Sequence, residues 1–166
     1  MIWYALQLKP SQGDRALANL KNQEIPCFYP KVTVEKIKAG KRIKKLEPLF
    51  PGYLFVNLEQ TDPKWSKLRS TRGVIRVVSF ANRPAAISDD VIQHIQASLD
   101  SVAEQGGIKS GQPLTLADGP FKGISAIFQA YDGEHRAIVL INFMQKQQSV
   151  KVPLSSLYSH SSGRPD

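Results

Sequence analysis

The polar stretch at residues 101–112, Ser-Val-Ala-Glu-Gln-Gly-Gly-Ile-Lys-Ser-Gly-Gln, limits how this chain folds more than any other segment. It carries three glycines and no apolar run, so it can bury little surface and reads as a flexible linker. Roughly 100 residues precede it and roughly 50 follow, each enough for a small domain. Two units are therefore expected, residues 1–100 and 113–158, followed by a disordered polar tail at 159–166.

Charge divides at the same place. Residues 1–100 hold 16 Lys and Arg against 9 Asp and Glu, a net of +7, whereas residues 101–166 hold 6 against 5, a net of +1. Solubility alone would not concentrate charge in this way, so the first unit is expected to face a polyanion, with nucleic acid the leading candidate. The densest run, residues 36–45, has six cations around Gly40 and reads either as a solvated loop or as a hairpin tip that reaches phosphates. A second basic set, Lys64, Lys67, Arg69, Arg72 and Arg76, encloses Trp65, whose ring would either stack on a base or pack on the domain. Ser11, Gln12, Arg15 and Asn19 add groups able to reach base edges.

No apolar run approaches the ~20 residues of a membrane span, and the N-terminus lacks the pattern of a signal peptide. A single cysteine, Cys27, allows no internal disulfide. A cytoplasmic monomer with no membrane association is expected. His94, His135 and His160 are scattered, and no nucleophile, phosphate-cradling or zinc-protease motif occurs, so neither catalysis, nor a metal, nor a cofactor is expected. Asp89 and Asp90 read as the acidic first turn of a helix.

The first unit reads as α+β with a mainly antiparallel sheet flanked by helices. Strands are expected at 3–8, 53–56 and 74–80, and an extended segment around Val32, Val34 and Ile37. Helices are expected at 12–23, capped by Ser11, briefly after Asp62-Pro63, and from Ser88 with Val91, Ile92, Ile95 and Leu99 buried. Alternation puts Tyr53 and Phe55 on one face of their strand and Leu54 and Val56 on the other, which leaves one aromatic face to be covered by a partner or by the second unit. The second unit reads in two ways. Leu114/Leu116, Ala126/Phe128, Val139/Ile141/Phe143 and Val150/Val152/Leu154 alternate, with turn signals at Asp118-Gly119 and Asp132-Gly133, as in a five-stranded barrel. Ile124, Ile127, Phe128 and Tyr131 also fall on one helical face, and residues 134–148 contain neither Gly nor Pro.

Trp3-Tyr4, the run Glu47-Pro48-Leu49-Phe50-Pro51-Gly52-Tyr53-Leu54-Phe55-Val56, and Thr71-Arg72-Gly73-Val74 resemble the N-terminal domain of NusG-like transcription elongation factors. Gly111-Gln112-Pro113 through Gly119-Pro120-Phe121-Lys122-Gly123 resembles a KOW module. Glu35-Lys36-Ile37, Gly40-Lys41-Arg42 and Asp132-Gly133-Glu134 with Arg136 resemble the specialised RfaH-like branch of that family. The resemblance implies an apolar face, including Tyr53, Phe55 and Phe80, for the clamp helices of the RNA polymerase β′ subunit. It implies that Lys64, Trp65 and Ser66 stand at the contact with the β-subunit gate loop. It also implies reading of the ops element in single-stranded non-template DNA by Lys9, Gln12, Arg15, Asn19, Lys67, Arg69, Thr71 and Arg72.

The same resemblance implies a C-terminal domain that is a helical hairpin when closed on the first domain. Released, it would be a five-stranded barrel that contacts a small-subunit ribosomal protein and so promotes translation. Glu47 and Arg136 would form the interdomain ion pair, and Ile127, Phe128, Leu140, Ile141 and Met144 would supply the covering apolar surface. The alternative is a general NusG-like factor with a permanent KOW barrel and no DNA sequence preference.

Overall fold

A computed structural model describes residues 2–114, 116, 121 and 123–151. In chain order it contains β1 (Ile2–Leu8), α1 (Gly13–Asn22), β2 (Cys27–Phe28), β3 (Lys31–Lys38), β4 (Lys41–Pro48), β5 (Tyr53–Asn57), a 3-10 turn (Pro63–Lys67), β6 (Val74–Val77), β7 (Ser79–Phe80), β8 (Arg83–Pro84), β9 (Ala86–Ser88), α2 (Asp89–Glu104), β10 (Ile108–Lys109), α3 (Ile124–Gln129) and α4 (Gly133–Lys151).

The central sheet runs β2-β5-β1-β6, all antiparallel, and β9 pairs with the start of β1 beyond the end of β6. Because successive side chains on a strand point to opposite faces, β1 and β5 serve two cores at once. Tyr4, Leu6, Leu54 and Val56 join Ala16 and Leu20 of α1 together with Leu68 and Val74. Ala5 and Phe55 look the other way, into a cluster that holds Val91, Ile92, Ile95 and Leu99 of α2 and also the apolar residues of α3 and α4. The molecule is thus layered as α1, sheet, then α2 with the C-terminal helices. The expected alternation at residues 53–56 is what divides the two cores.

Beside this sheet stands a long hairpin. Strands β3 and β4 pair over their full length, Lys31 opposite Pro48 and Lys38 opposite Lys41. Ala39 and Gly40 turn the chain with φ of 52° and 76°, the doubly left-handed geometry that matches strand twist in two-residue hairpins. The basic run at 36–45 is therefore a hairpin tip.

Several local expectations are corrected. Ser11 does not cap α1: its φ is 61°, and Gln12 takes the cap position with no side-chain bond. The helix itself lies where expected, α1 spanning Gly13–Asn22 between the cap residues Gln12 and Gln23. The strand expected at 74–80 is split at Val78 into β6 and β7, where Val78 N–H instead donates to Ala5 O at 2.8 Å. The stretch at 101–112 is not uniformly a linker. Its first four residues end α2, and Ile108 is buried in β10, which runs parallel to β3 opposite Val34. Gly106 and Gly107, at φ of 89° and 96°, make the reversal between helix and strand. A side chain at Gly107 would meet the Thr33 carbonyl, so here the glycines serve docking and not looseness.

No strand occurs at 124–151; the segment is two helices packed on the first domain. The turn signal at Asp118-Gly119, residues 119, 120 and 122 of the KOW-like motif, the strand pattern at Val152 and Leu154, His160 and the tail at 159–166 lie outside the described residues. No described helix is long and apolar enough to cross a membrane.

Candidate functional site

Two surfaces carry the residues singled out by the sequence, and the first is the contact between the domains. Ile127 and Phe128 of α3 and Leu140 and Met144 of α4 are at most 1% exposed, and Ile141 is half-buried against the same cluster. They share that cluster with Phe50, Phe55, Ile87 and Val91, while Tyr53 and Phe80 pack at its edge. Helix α3 lies against α2 and α4 against β9. Burying such side chains contributes ~1.5–3 kcal/mol each as an upper bound.

Arg136 sits inside this contact with no exposure. Its Nε donates to Leu49 O at 2.8 Å, its Nη1 to Tyr131 O at 2.6 Å and Ala130 O at 3.2 Å, and its Nη2 to Glu47 Oε1 at 3.2 Å. Burial pulls the guanidinium below its ordinary pKa, and the hydrogen bond and charge of Glu47 pull it back up. Glu47 holds a second cation through its other oxygen, with Lys36 Nζ at 3.0 Å. Sequence reasoning named the Glu47–Arg136 pair but missed Lys36, because the charge run gave no sign of which lysine turns inward. It also missed Tyr131 Oη donating to Glu35 O at 2.9 Å and Gln148 Nε2 donating to Ala86 O at 2.8 Å.

The start of α4 is equally confined. A Cβ on Gly133 would stand 2.6 Å from Pro51 Cγ, closer than real Cβ atoms approach. Alanine favours an isolated helix over glycine by ~1 kcal/mol. Gly133→Ala should nevertheless weaken docking, and faster amide exchange across α4, with no change in β1 and β5, is the expected readout.

The second surface is cationic. Gly73, at φ 94°, lets the loop after the 3-10 turn touch α1: a Cβ there would stand 2.9 Å from Gln12 O and 3.0 Å from Ala16 Cβ. Lys9 N–H donates to Gly73 O at 2.8 Å, and Gln23 Nε2 donates to Thr71 Oγ1 at 3.0 Å. These contacts bring Lys9, Gln12, Arg15 and Asn19 onto one surface with Lys67, Arg69 and Arg72. Lys9, Arg15, Lys67, Arg69 and Arg72 are exposed, and Gln12 and Asn19 are half-buried. Thr71 is 6% exposed, and its hydroxyl donates to Lys67 O at 2.8 Å while accepting from Gln23, so it shapes the loop that carries Arg69 and Arg72.

Lys64, Trp65 and Ser66 lie together on the 3-10 turn, which Asp62 caps by accepting from Lys64 N–H at 2.8 Å. Trp65 packs edge-on against Tyr4, ring centres 4.8 Å apart, so its ring is held by the domain. Lys64 Nζ reaches Glu24 O at 3.5 Å and Ser66 Oγ donates to Pro63 O at 3.3 Å. Between the two surfaces runs an open groove of about 660 Å³ lined by Tyr53, Trp65, Arg69, Arg76, Phe80 and, from α4, Ile141.

No group of His, Cys, Asp and Glu with metal-binding geometry occurs among the described residues. Burial raises the Cys27 thiol to about 11, against a partial opposing effect of Lys21. The thiolate is thereby disfavoured at neutral pH, and alkylation by iodoacetamide at pH 8 should be at least several-fold slower in the folded chain than in denaturant.

The fold and these two surfaces define a binding protein, one face cationic and open, the other apolar and covered by its own C-terminal helices. The family described as "Transcription termination factor nusG" matches residues 1–96, more than half of the 166 residues, and the chain belongs to the NusG family of non-enzymatic transcription termination/antitermination factors. The transcription termination/antitermination protein NusG of Helicobacter pylori strain J99 is 27% identical over 155 residues, covering 84% of this chain and 87% of that protein. Its counterpart from Deinococcus radiodurans is 23% identical over 184 residues, covering 93% and 97%. A solved structure titled "Domain interaction in Thermotoga maritima NusG" aligns with a TM-score of 0.39 at 23% identity, covering 60% of this chain and 57% of that one, an overlap that adds nothing to the assignment.

Proposed function

We propose that this chain is an autoinhibited, operon-specific elongation and antitermination factor of the RfaH-like branch of its family. Residues 1–100 act as the domain that binds RNA polymerase and reads the ops element in the non-template strand, and residues 113–158 act as the domain that controls access to it. The observation that carries this reading is the seating of α3 and α4 on the aromatic face of the sheet, with Arg136 buried against Glu47.

A factor that must always be available to polymerase gains nothing by covering its apolar face. A factor confined to particular operons gains selectivity from it, because a partner must supply enough differential binding to displace the cover. The exposed set Lys9, Arg15, Lys67, Arg69 and Arg72 stays accessible while the cover is on, so DNA can be tested before the domains part. Once α3 and α4 leave, Tyr53, Phe55 and Phe80 engage the β′ clamp helices, and Lys64, Trp65 and Ser66 approach the gate loop. The released segment refolds into a KOW barrel that contacts a small-subunit ribosomal protein, coupling the operon to translation in the cytoplasm. Its alternating residues Val139, Ile141 and Phe143 would then line one face of a strand.

The full chain should bind core RNA polymerase in a transcription complex carrying ops in its non-template strand at least tenfold more tightly than one carrying a scrambled strand, on the ~1–3 kcal/mol that each bidentate base contact discriminates. Equal retention on the two complexes would overturn the operon-specific reading and leave a general factor.

A further inference from the structure

The β3–β4 hairpin presents more aliphatic surface to solvent than its place in the fold requires. Ile37 is 76% exposed and Leu46 62%. The strand register puts both on one face, because Thr33 lies opposite Leu46, Glu35 opposite Lys44 and Ile37 opposite Arg42. This outer face points away from the C-terminal helices, which meet the inner face through Val32, Val34 and Glu47.

Three cations flank the aliphatic pair. Arg42 sits 3.8 Å from Glu35, and the ammonium groups of Lys44 and Lys109 converge beside Gly106. Below Leu46 the face opens into a groove of about 390 Å³ floored by Phe28, Tyr29, Thr33, Gln96 and Leu99. Ile37, Leu46 and the flanking cations belong neither to the aromatic face under α3 and α4 nor to the cationic surface on α1; only the groove floor, through Phe28 and Leu99, touches the edge of the cluster behind that face.

We propose that this outer face is a docking surface for an acidic, extended segment of another protein that carries two aliphatic residues four positions apart. Ile37 and Leu46 are separated by four rows of the hairpin, about 13 Å at the rise of a strand, which is the i, i+4 spacing of an extended chain. The lower anchor enters the groove beside Leu46, the upper one covers Ile37, and acidic residues between them meet Lys44 and Arg42. Charge complementarity selects an acidic partner, and the aliphatic pair selects protein over nucleic acid. A phosphate backbone would satisfy the cations but leave Ile37 and Leu46 wet. A second copy of this chain is disfavoured by like charge. Because the face is independent of α3 and α4, docking persists whether the C-terminal helices are seated or released.

The test uses the full chain and fluorescence anisotropy with a labelled synthetic peptide of glutamate and threonine bearing leucines four apart. A twin with the leucines replaced by serine, a single-stranded oligonucleotide and a duplex serve as comparison probes. The leucine peptide should bind, and the serine twin and the Ile37→Ser/Leu46→Ser variant should each weaken binding about tenfold or more. Arg42→Glu/Lys44→Glu should abolish binding at low salt, whereas Arg136→Ala should leave it unchanged. Amide spectra of the hairpin variants, unchanged in the central sheet, establish that they fold. Unaltered peptide binding by Ile37→Ser/Leu46→Ser overturns the proposal. So does an equal fall in oligonucleotide binding, which makes this a nucleic-acid surface, or concentration-dependent dimerisation lost in that variant, which makes it a self-contact.

Discussion

Arg136→Ala is expected to unseat the C-terminal helices. The guanidinium is fully buried and donates to three carbonyls and one carboxylate. Removing one member of a buried charged network typically costs ~3–5 kcal/mol, far above the value of an exposed ion pair, because the partners left behind stay dry. Here the abandoned groups are mainly Leu49 O, Ala130 O and Tyr131 O. Glu47 is better placed, since it retains Lys36 and is partly open to water.

Glu47→Ala removes the one carboxylate among the described residues that is bonded to Arg136 and strands a buried cation, so it should destabilise the seated state to a similar degree by the opposite route. The readout is the set of backbone chemical shifts of residues 124–148. Helical values in the parent chain should give way in both variants, and the amides of β1 and β5 should stay protected. Helical shifts that survive in both would mean that the apolar contacts alone hold the cover, and the ion-pair latch would be discarded.

Gly73→Val should cripple nucleic-acid binding without removing a single charge. At φ 94° a branched residue is strained, and its Cβ would stand 2.9 Å from Gln12 O and 3.0 Å from Ala16 Cβ. The loop must therefore back away from α1. That separates Lys67, Arg69 and Arg72 from Lys9, Gln12 and Arg15 while leaving the net charge at +8. If the surface acts as one cradle, affinity for a single-stranded oligonucleotide should fall at least tenfold, and the dependence on salt should become shallower as fewer phosphates are held together. A fall no larger than that of a variant at Gly40, whose Cβ position has nothing within 4 Å, would show that bulk charge and not geometry drives binding.

Much of this arrangement was legible in the sequence, and the limits have physical causes. The alternation at residues 53–56 assigned each side chain to the correct core because a strand between two layers leaves no other choice. The helix at 89–104 announced itself through Ser88, the acidic first turn and the spacing of Val91, Ile92, Ile95 and Leu99. Residues 133–148 stayed ambiguous because their pattern serves two periods. As a helix they bury Arg136, Ala137, Leu140, Phe143 and Met144, yet leave Ile138 56% exposed, the cost of wrapping a strand-like run around a helix. The linker expectation failed because composition registers glycine as looseness, whereas Gly106 and Gly107 are there to turn the chain and to approach Thr33. The contacts of Thr71 with Gln23 and Lys67 were not legible, because hydrogen-bonding capacity shows in a sequence and the partners do not.

The short strand at Ile108 and Lys109 acts on the kinetics of any C-terminal domain that comes loose. A leash of residues 101–112 would extend ~40 Å, but one pinned to β3 through Lys109 has only residues 110–112, ~10 Å. A domain so closely moored faces its own docking site at an effective concentration of at least millimolar order. Recapture would then compete with every partner from the moment of release. The pinned leash would thus work as a timer: an open form would last only as long as something else occupied the vacated face.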